Sequence, residues 1–279
     1  IILGMSNLVK FTVTLSLIFS INHVYADREA FESTYVPLAP EKIVIQNASI
    51  YDGDGGEFFE TDVLVEDGKI IAIGKDLPFS NEFKVIDATG KWVTPGIIDI
   101  HSHMGVYPAP GVRTSSDGNE ATSPVTADVW AEHSIWVQDP QYALALTGGV
   151  TAFHILPGSA NLIGGRGVTV KNLQRVTINS MKFPDAPHSL KMACGENPKR
   201  VYGNRGQAPS TRMGNAAGYR KSWIQAEGYL RRLNEYEEKS DEAKELEYAP
   251  TRDLEMETLA GVLKGCLLYT SPSPRDSDQ

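Results

Sequence analysis

The sequence predicts an α/β fold in two parts, a small all-β unit followed by buried strands that alternate with helices. Three observations carry this. Between Lys42 and Val93 short β-rich runs follow one another at Gly-containing turns. Beyond Pro95, three largely apolar runs, Ile97–Ile100, Val150–Leu156 and Ser189–Cys194, have the composition of strands covered on both faces. From Ala216 to Leu246, Tyr219, Trp223, Ala226, Leu230 and Leu233 recur at helical spacing.

The first residues read as targeting sequence. Ile1 to Gly4 precede a start at Met5, and Lys10 gives a short basic region before the apolar run Phe11–Ile21. Val24-Tyr25-Ala26 offers a small-x-small cleavage pattern, so residues 1–26 form a signal segment cut after Ala26. The apolar run is about half the roughly 20 residues needed to cross a bilayer, which disfavours a retained anchor. The expected location is outside the cytoplasm, periplasmic in a Gram-negative cell, with no membrane insertion after cleavage. Residues 27–41 are a polar leader.

Residues 42–95 read as a small β-sandwich. Ile43–Ile45 and Ala48–Tyr51 close at the turn Asp52–Gly56, and Asp67-Gly68 between two apolar runs is a strong hairpin signal. Asp52 and Asp54 lack the remaining positions of a calcium loop and read as a solvated turn. After residue 104 comes a Gly-, Pro- and Ser-rich loop to Pro124 holding Asp117 and Glu120, either substrate contacts or plain surface. Thr126 to Leu146 reads as a helix carrying His133 on its packing or outer face. His154 lies inside the second strand as a core or supporting residue. The stretch Gly158–Gly167 reads as a tight loop in which Arg166 could act as a counter-charge. It lacks either nucleotide fingerprint. Thr251 reads as the cap of a last helix running to Lys264.

Composition narrows the function. The 279 residues are 41% hydrophobic and 22% charged, as in a globular chain, and the net charge is −9. A chain this acidic is poorly suited to nucleic acid or anionic membranes. Two cysteines set no disulfide framework.

The most informative stretch is Asp99-Ile100-His101-Ser102-His103-Met104, at the end of the first buried run and just after Thr94-Pro95-Gly96. Side chains two apart on a strand share a face, so His101 and His103 can reach one metal ion with Asp99 behind them. Imidazole pairs suit zinc and similar divalent ions.

This Pro-Gly strand ending in His-x-His resembles the first barrel strand of the amidohydrolase superfamily. The phrases Asp117-Gly118-Asn119-Glu120-Ala121-Thr122, Pro157 to Arg166 and Gly195 to Arg200 resemble its exported branch related to imidazolonepropionases and Xaa-Pro dipeptidases. The resemblance implies an incomplete TIM-like (β/α)8 barrel over residues 96–265, short of the about 250 residues of a whole one. Residues 42–95 would be the composite domain that precedes such barrels. Residues 266–279 resemble a translated sequencing adaptor and are expected to be foreign.

The same resemblance implies one or two divalent ions, zinc first, held by His101, His103 and Glu196. Lys191 is the runner-up as a carboxylated bridging lysine, its plain reading being a salt-bridged barrel residue. Metal-activated water would cleave carbon–nitrogen bonds in a small-molecule or short-peptide substrate, with an Asp beyond residue 265 completing the site. The chain as written is therefore expected to be inactive. The competing expectation is an exported, non-enzymatic binding protein on the same scaffold.

Overall fold

The computed structural model describes residues 31–39 and 41–270. The signal segment at 1–26 and the tail beyond 270 lie outside the described residues. No helix among those described is long and apolar enough to cross a membrane.

The β domain forms as read. Its strands β1 (Ile43–Tyr51), β2 (Glu57–Glu66), β3 (Lys69–Gly74), β4 (Lys84–Asp87) and β5 (Trp92–Val93) make one five-stranded sheet in the order β3-β2-β1-β4, with β5 also on β1. The β2–β3 hairpin turns on Asp67 and Gly68 at φ 52° and 70°. Two positive φ values match the twist of paired strands, and Gly and Asp tolerate them. Asp62 is buried and accepts the amides of Asn47 (3.0 Å) and Leu77 (3.2 Å), fixing the chain on both sides of β2. Ala48, Ile50, Val63 and Ala88 form its core.

The second sheet is a curled half-barrel, in the order β10-β9-β8-β7-β6, of β6 (Ile97–Ser102), β7 (Val150–Ile155), β8 (Ile163–Lys171), β9 (Ser189–Met192) and β10 (Leu268–Thr270). Strands β6 and β7 are parallel, β8 is antiparallel to both β7 and β9, and β9 and β10 are parallel. Strands β6, β7, β9 and β10 therefore share one direction, and their C-terminal ends gather at one rim. Residues 266–279, read as foreign, still supply β10: Leu268–Thr270 is β-prone and covers an otherwise open edge.

The Gly-rich stretch is a correction. Residues 158–162 form a loop as read, but Ile163–Gly167 are the start of β8, and the reason lies in close approach. A Cβ on Gly165, at φ +102°, would sit 2.2 Å from the Val129 carbonyl oxygen, which accepts the Arg166 amide at 2.8 Å. A Cβ on Gly167 would meet Ser189 Oγ at 2.6 Å. These glycines let backbones touch rather than cradle an anion.

The helix expected over Thr126–Leu146 is a second correction. Its first half is irregular because Val125 and Trp130 bridge to Ile163 and Arg166, taking up backbone groups that a helix needs. Ala131–His133 forms a single 3₁₀ turn, and α1 (Gln141–Thr147) starts just after Pro140. Helix α2 (Glu196–Gly203) follows β9. The long helix α3 (Arg212–Glu237) starts earlier than expected because Thr211 Oγ1 accepts the Gly214 amide at 3.0 Å. It stops short of Leu246, where Ser240 caps a separate α4 (Asp241–Glu245). In α5 (Leu254–Leu263) the cap is Asp253, not Thr251, accepting the Met256 amide at 3.1 Å. Ala226 and Tyr229 of α3 and Met256, Leu259 and Ala260 of α5 pack on Ile163, Leu190 and Met192.

Candidate functional site

The rim end of β6 delivers both histidines, their ring centroids 5.4 Å apart and nearly perpendicular. His103 lies one residue past the strand, beside the end of β7, where Leu156 donates its amide to Ser102 O at 2.9 Å. That register brings the Leu156 carbonyl to His103 Nδ1 at 2.9 Å. A carbonyl only accepts, so Nδ1 carries the proton and Nε2 keeps its lone pair, the tautomer that a metal-ligating histidine needs. Asp99 serves the backbone: its Oδ1 accepts the His101 amide at 3.1 Å.

Lys191 meets them from β9. Its side chain is buried, and Nζ lies 2.8 Å from His101 Nε2. The stem passes Gly164, where a Cβ would sit 3.8 Å from Lys191 Cγ. Two imidazoles and one lysine thus converge from two parallel strands. Lys191, the runner-up candidate, is the residue that this geometry brings to the histidines.

Glu196 is not gathered. It opens α2, half-exposed, with Oε1 3.6 Å from Arg200 Nε one helical turn on. Among the described residues no group of three or more His, Cys, Asp or Glu is arranged to hold a metal. Gly195 at φ +85° turns the chain into α2, and an acidic residue in a first turn is satisfied by the helix and its i+4 partner.

Arg166 is a correction as well. It is buried, its Nε donates to Thr258 Oγ1 at 3.1 Å, and its guanidinium stacks 4.2 Å above the Trp130 ring. It fastens α5 to β8 and is no substrate counter-charge. Asp117 and Glu120 are exposed and line a cleft of about 460 Å³ with Asp128, Trp130 and Gly164. Gly164 on the wall of that cleft backs onto the Lys191 stem. His133 stacks on Trp130 at 5.5 Å.

Three residues escaped the sequence reading. Tyr107 sets its ring edge-on to His103 at 5.7 Å. Asn119 donates from Nδ2 to Tyr107 Oη and accepts the Ala160 amide at 3.0 Å. Asp139, fully buried, accepts the amides of Gly105 (3.2 Å) and Ala109 (3.3 Å) and thereby holds the loop's base. The only signal for the last was Asp-Pro ahead of a helix, and such dipeptides are common.

Below the rim, His154 spans three strands, with Nδ1 2.9 Å from Thr169 Oγ1 and Nε2 2.6 Å from Ser189 Oγ. Ser189 and Lys191 share a face of β9, so His154 lies one layer beneath Lys191. Burial pushes the pKa of both His103 and His154 down, and the positive charge of Lys191 adds to it. The sign of the pH effect follows. Unfolded, each takes a proton near roughly pH 6.5, while the folded chain resists it until lower pH. Stability should therefore be full above that value and fall as pH drops toward the folded pKa values. The urea midpoint is expected to decline between about pH 7.5 and 5.5, and His154→Asn should flatten the decline. An unchanged slope in that variant would remove His154 from the account.

No protein-family profile matches the chain. It is similar to the amidohydrolase tasK of Hapsidospora irregularis, 37% identical over 231 residues that span 76% of this chain and 23% of that protein. A dihydroorotase of Lactobacillus helveticus is 47% identical over 74 residues, 26% of this chain and 16% of the relative. Among solved structures, an amidohydrolase from Thermotoga maritima superposes with a TM-score of 0.71 at 39% identity, covering 80% of this chain and 56% of that one. The chain thus spans less than a quarter of these curated relatives and just over half of the solved one.

Proposed function

Because this chain belongs to the amidohydrolase superfamily, we propose that it supplies metal-holding residues of a hydrolase acting on carbon–nitrogen bonds of a small-molecule or short-peptide substrate. The observation that carries this reading is Lys191 Nζ, buried and 2.8 Å from His101 Nε2. A lysine amine is a poor partner for a divalent ion. After its neutral form attacks CO₂, a nitrogen–carbon bond forms, one proton leaves the nitrogen, and the side chain ends in a carboxylate. His101, His103 and that carboxylate then make a donor set that suits one or two divalent ions, zinc first. When bound, such an ion supplies Lewis-acid polarisation of a carbonyl and a water of lowered pKa.

The protein's own groups do the rest. The Leu156 carbonyl orients His103, the β6–β9 register holds His101 against Lys191, and burial keeps both His103 and His154 neutral near pH 7. Asp99, the carboxylate that acts on this pair of histidines, is taken up by the His101 amide at 3.1 Å and stays with the backbone. A chain of this sequence is thus expected to retain metal without turning over amides. Export with cleavage after Ala26 remains part of the proposal.

Zinc retained per chain after dialysis, measured by elemental analysis, tests the reading. The chain should hold about one ion, and His101→Ala with His103→Ala should abolish it, since a two-ligand loss exceeds the roughly 10–100-fold effect of losing a supporting contact. Equal zinc in both proteins would overturn the proposal and favour a non-enzymatic binding protein.

A further inference from the structure

The leader lies across the half-barrel as a strap. Ser33 and Tyr35 turn inward while Glu32, Thr34 and Val36 face water, the two-residue alternation of an extended chain. Among the described residues its hydrogen bonds to the half-barrel all reach one segment, from Lys171 at the end of β8 to Phe183. The Thr34 amide donates to Asn179 O at 2.9 Å, Ser33 Oγ to Lys182 O at 2.9 Å and Arg175 Nη2 to Val36 O at 3.4 Å. Buried Lys182 donates from Nζ to Phe31 O at 2.6 Å. Lys171 Nζ stands between two rings, 4.6 Å from that of Tyr35 and 4.4 Å from that of Phe183.

The receiving surface is set by bonds that do not involve the strap. The Lys171 amide donates to Met181 O at 2.8 Å and the Phe183 amide to Thr169 O at 2.9 Å, folding the segment back on β8 over the fully buried Met181. Thr177 caps the 3₁₀ turn Ile178–Ser180 within it. We infer that this surface is a peptide-binding groove and that the leader, Phe31–Val36, is its ligand, held in cis and able to leave. A pre-formed surface is what a ligand needs. The ligand class follows from the groups on offer. Lys182 and Arg175 take peptide carbonyls, Asn179 takes a peptide amide, and Lys171 takes the face of an aromatic ring, so the groove reads an extended segment with a tyrosine at one fixed place. Phe31 and Val36 stay mostly exposed, so the strap buries little beyond Ser33 and Tyr35. Tethered through residues 37–41, even a weak ligand stays in place, because a short linker keeps its local concentration high.

Nicking the folded, full-length chain tests this. A site-specific protease sequence inserted after Ala39 is cut once folding is complete, which ends the tether and leaves both pieces present. The nicked chain should exchange its leader for a fluorescein-labelled peptide of residues 31–39, followed by anisotropy. The uncut chain should not take up the probe, because its own leader fills the groove. A peptide of the same composition in scrambled order should fail to compete. Within the peptide, Tyr35→Ala should weaken binding about tenfold, since a ring and its cation contact are lost together, and Thr34→Pro about fivefold, since one backbone donor is lost. These changes sit in the ligand and leave the folding of the groove untouched. Lys171→Ala in the protein should remove most of the Tyr35→Ala effect, as expected of partners in one contact. No uptake of the probe by the nicked chain, equal uptake by the uncut chain, or equal competition by the scrambled peptide would overturn the groove. So would a nicked chain that unfolds or never releases its leader, because the strap would then be a permanent part of the fold.

Discussion

Replacing Lys191 with Met is expected to lower zinc affinity by roughly a hundredfold or more, the upper end of what supporting contacts contribute, because a donor itself is lost. Methionine keeps the buried stem and its volume, so the fold between β8 and β9 should survive and far-UV circular dichroism should not change. Lys191→Glu tests the chemistry more sharply. It supplies a carboxylate with no need for CO₂, from a shorter stem, and should retain more zinc than the Met variant. Bicarbonate should raise zinc retention in the parent chain and leave Lys191→Glu unaffected. If Lys191→Met holds as much zinc as the parent, the lysine is a barrel salt-bridge residue and the carboxylate reading is wrong.

This site was half legible in the sequence. His101 and His103 could be read because a strand's two-residue repeat is local, and the apolar run before them marked the strand. Lys191 could be named but not preferred, since its meeting with His101 depends on β8 entering the sheet between β7 and β9. That insertion was hidden: Gly164 to Gly167 weaken any strand signal, and their purpose, letting Val129 and Ser189 approach, exists only in three dimensions. Glu196 misled for the opposite reason. A carboxylate just past a buried strand fits a metal site by position, yet Gly195 turns it into the first turn of α2, where Arg200 takes it. In the β domain the β2–β3 hairpin was readable because the adjacent residues Asp67 and Gly68 close it, whereas β4 and β5 join β1 in parallel through pairings that are not local. The failed helix at Thr126 shows the limit of periodicity. Ala127, Ala131 and Tyr142 are buried in the core, but Val125 and Trp130 spend their backbone groups on β8.

The largest stability effect is expected at Lys182. Glu132 is buried on the 3₁₀ turn that replaces the failed helix, and its Oε2 lies 2.7 Å from Lys182 Nζ, with the two side chains 1% and 5% exposed. His188 Nε2 stands 4.0 Å from the same oxygen, and His133 Nε2 3.8 Å from the other. Lys182 Nζ also donates to the Phe31 carbonyl at 2.6 Å, and Ser33 Oγ donates to the Lys182 carbonyl at 2.9 Å. One lysine therefore neutralises a buried carboxylate and ties the leader to the half-barrel. Lys182→Met removes the ammonium 2.7 Å from that carboxylate and should cost about 3–5 kcal/mol, the usual penalty for orphaning one member of a buried pair. Urea unfolding at neutral pH would read it. Because the pair's attraction is largely spent on desolvating two ions, Glu132→Gln combined with Lys182→Met should recover most of the loss. A single variant as stable as the parent would mean that water or the two histidines already solvate Glu132. A double variant no better than the single would place the stabilisation in the leader contacts at Phe31 and Ser33 instead.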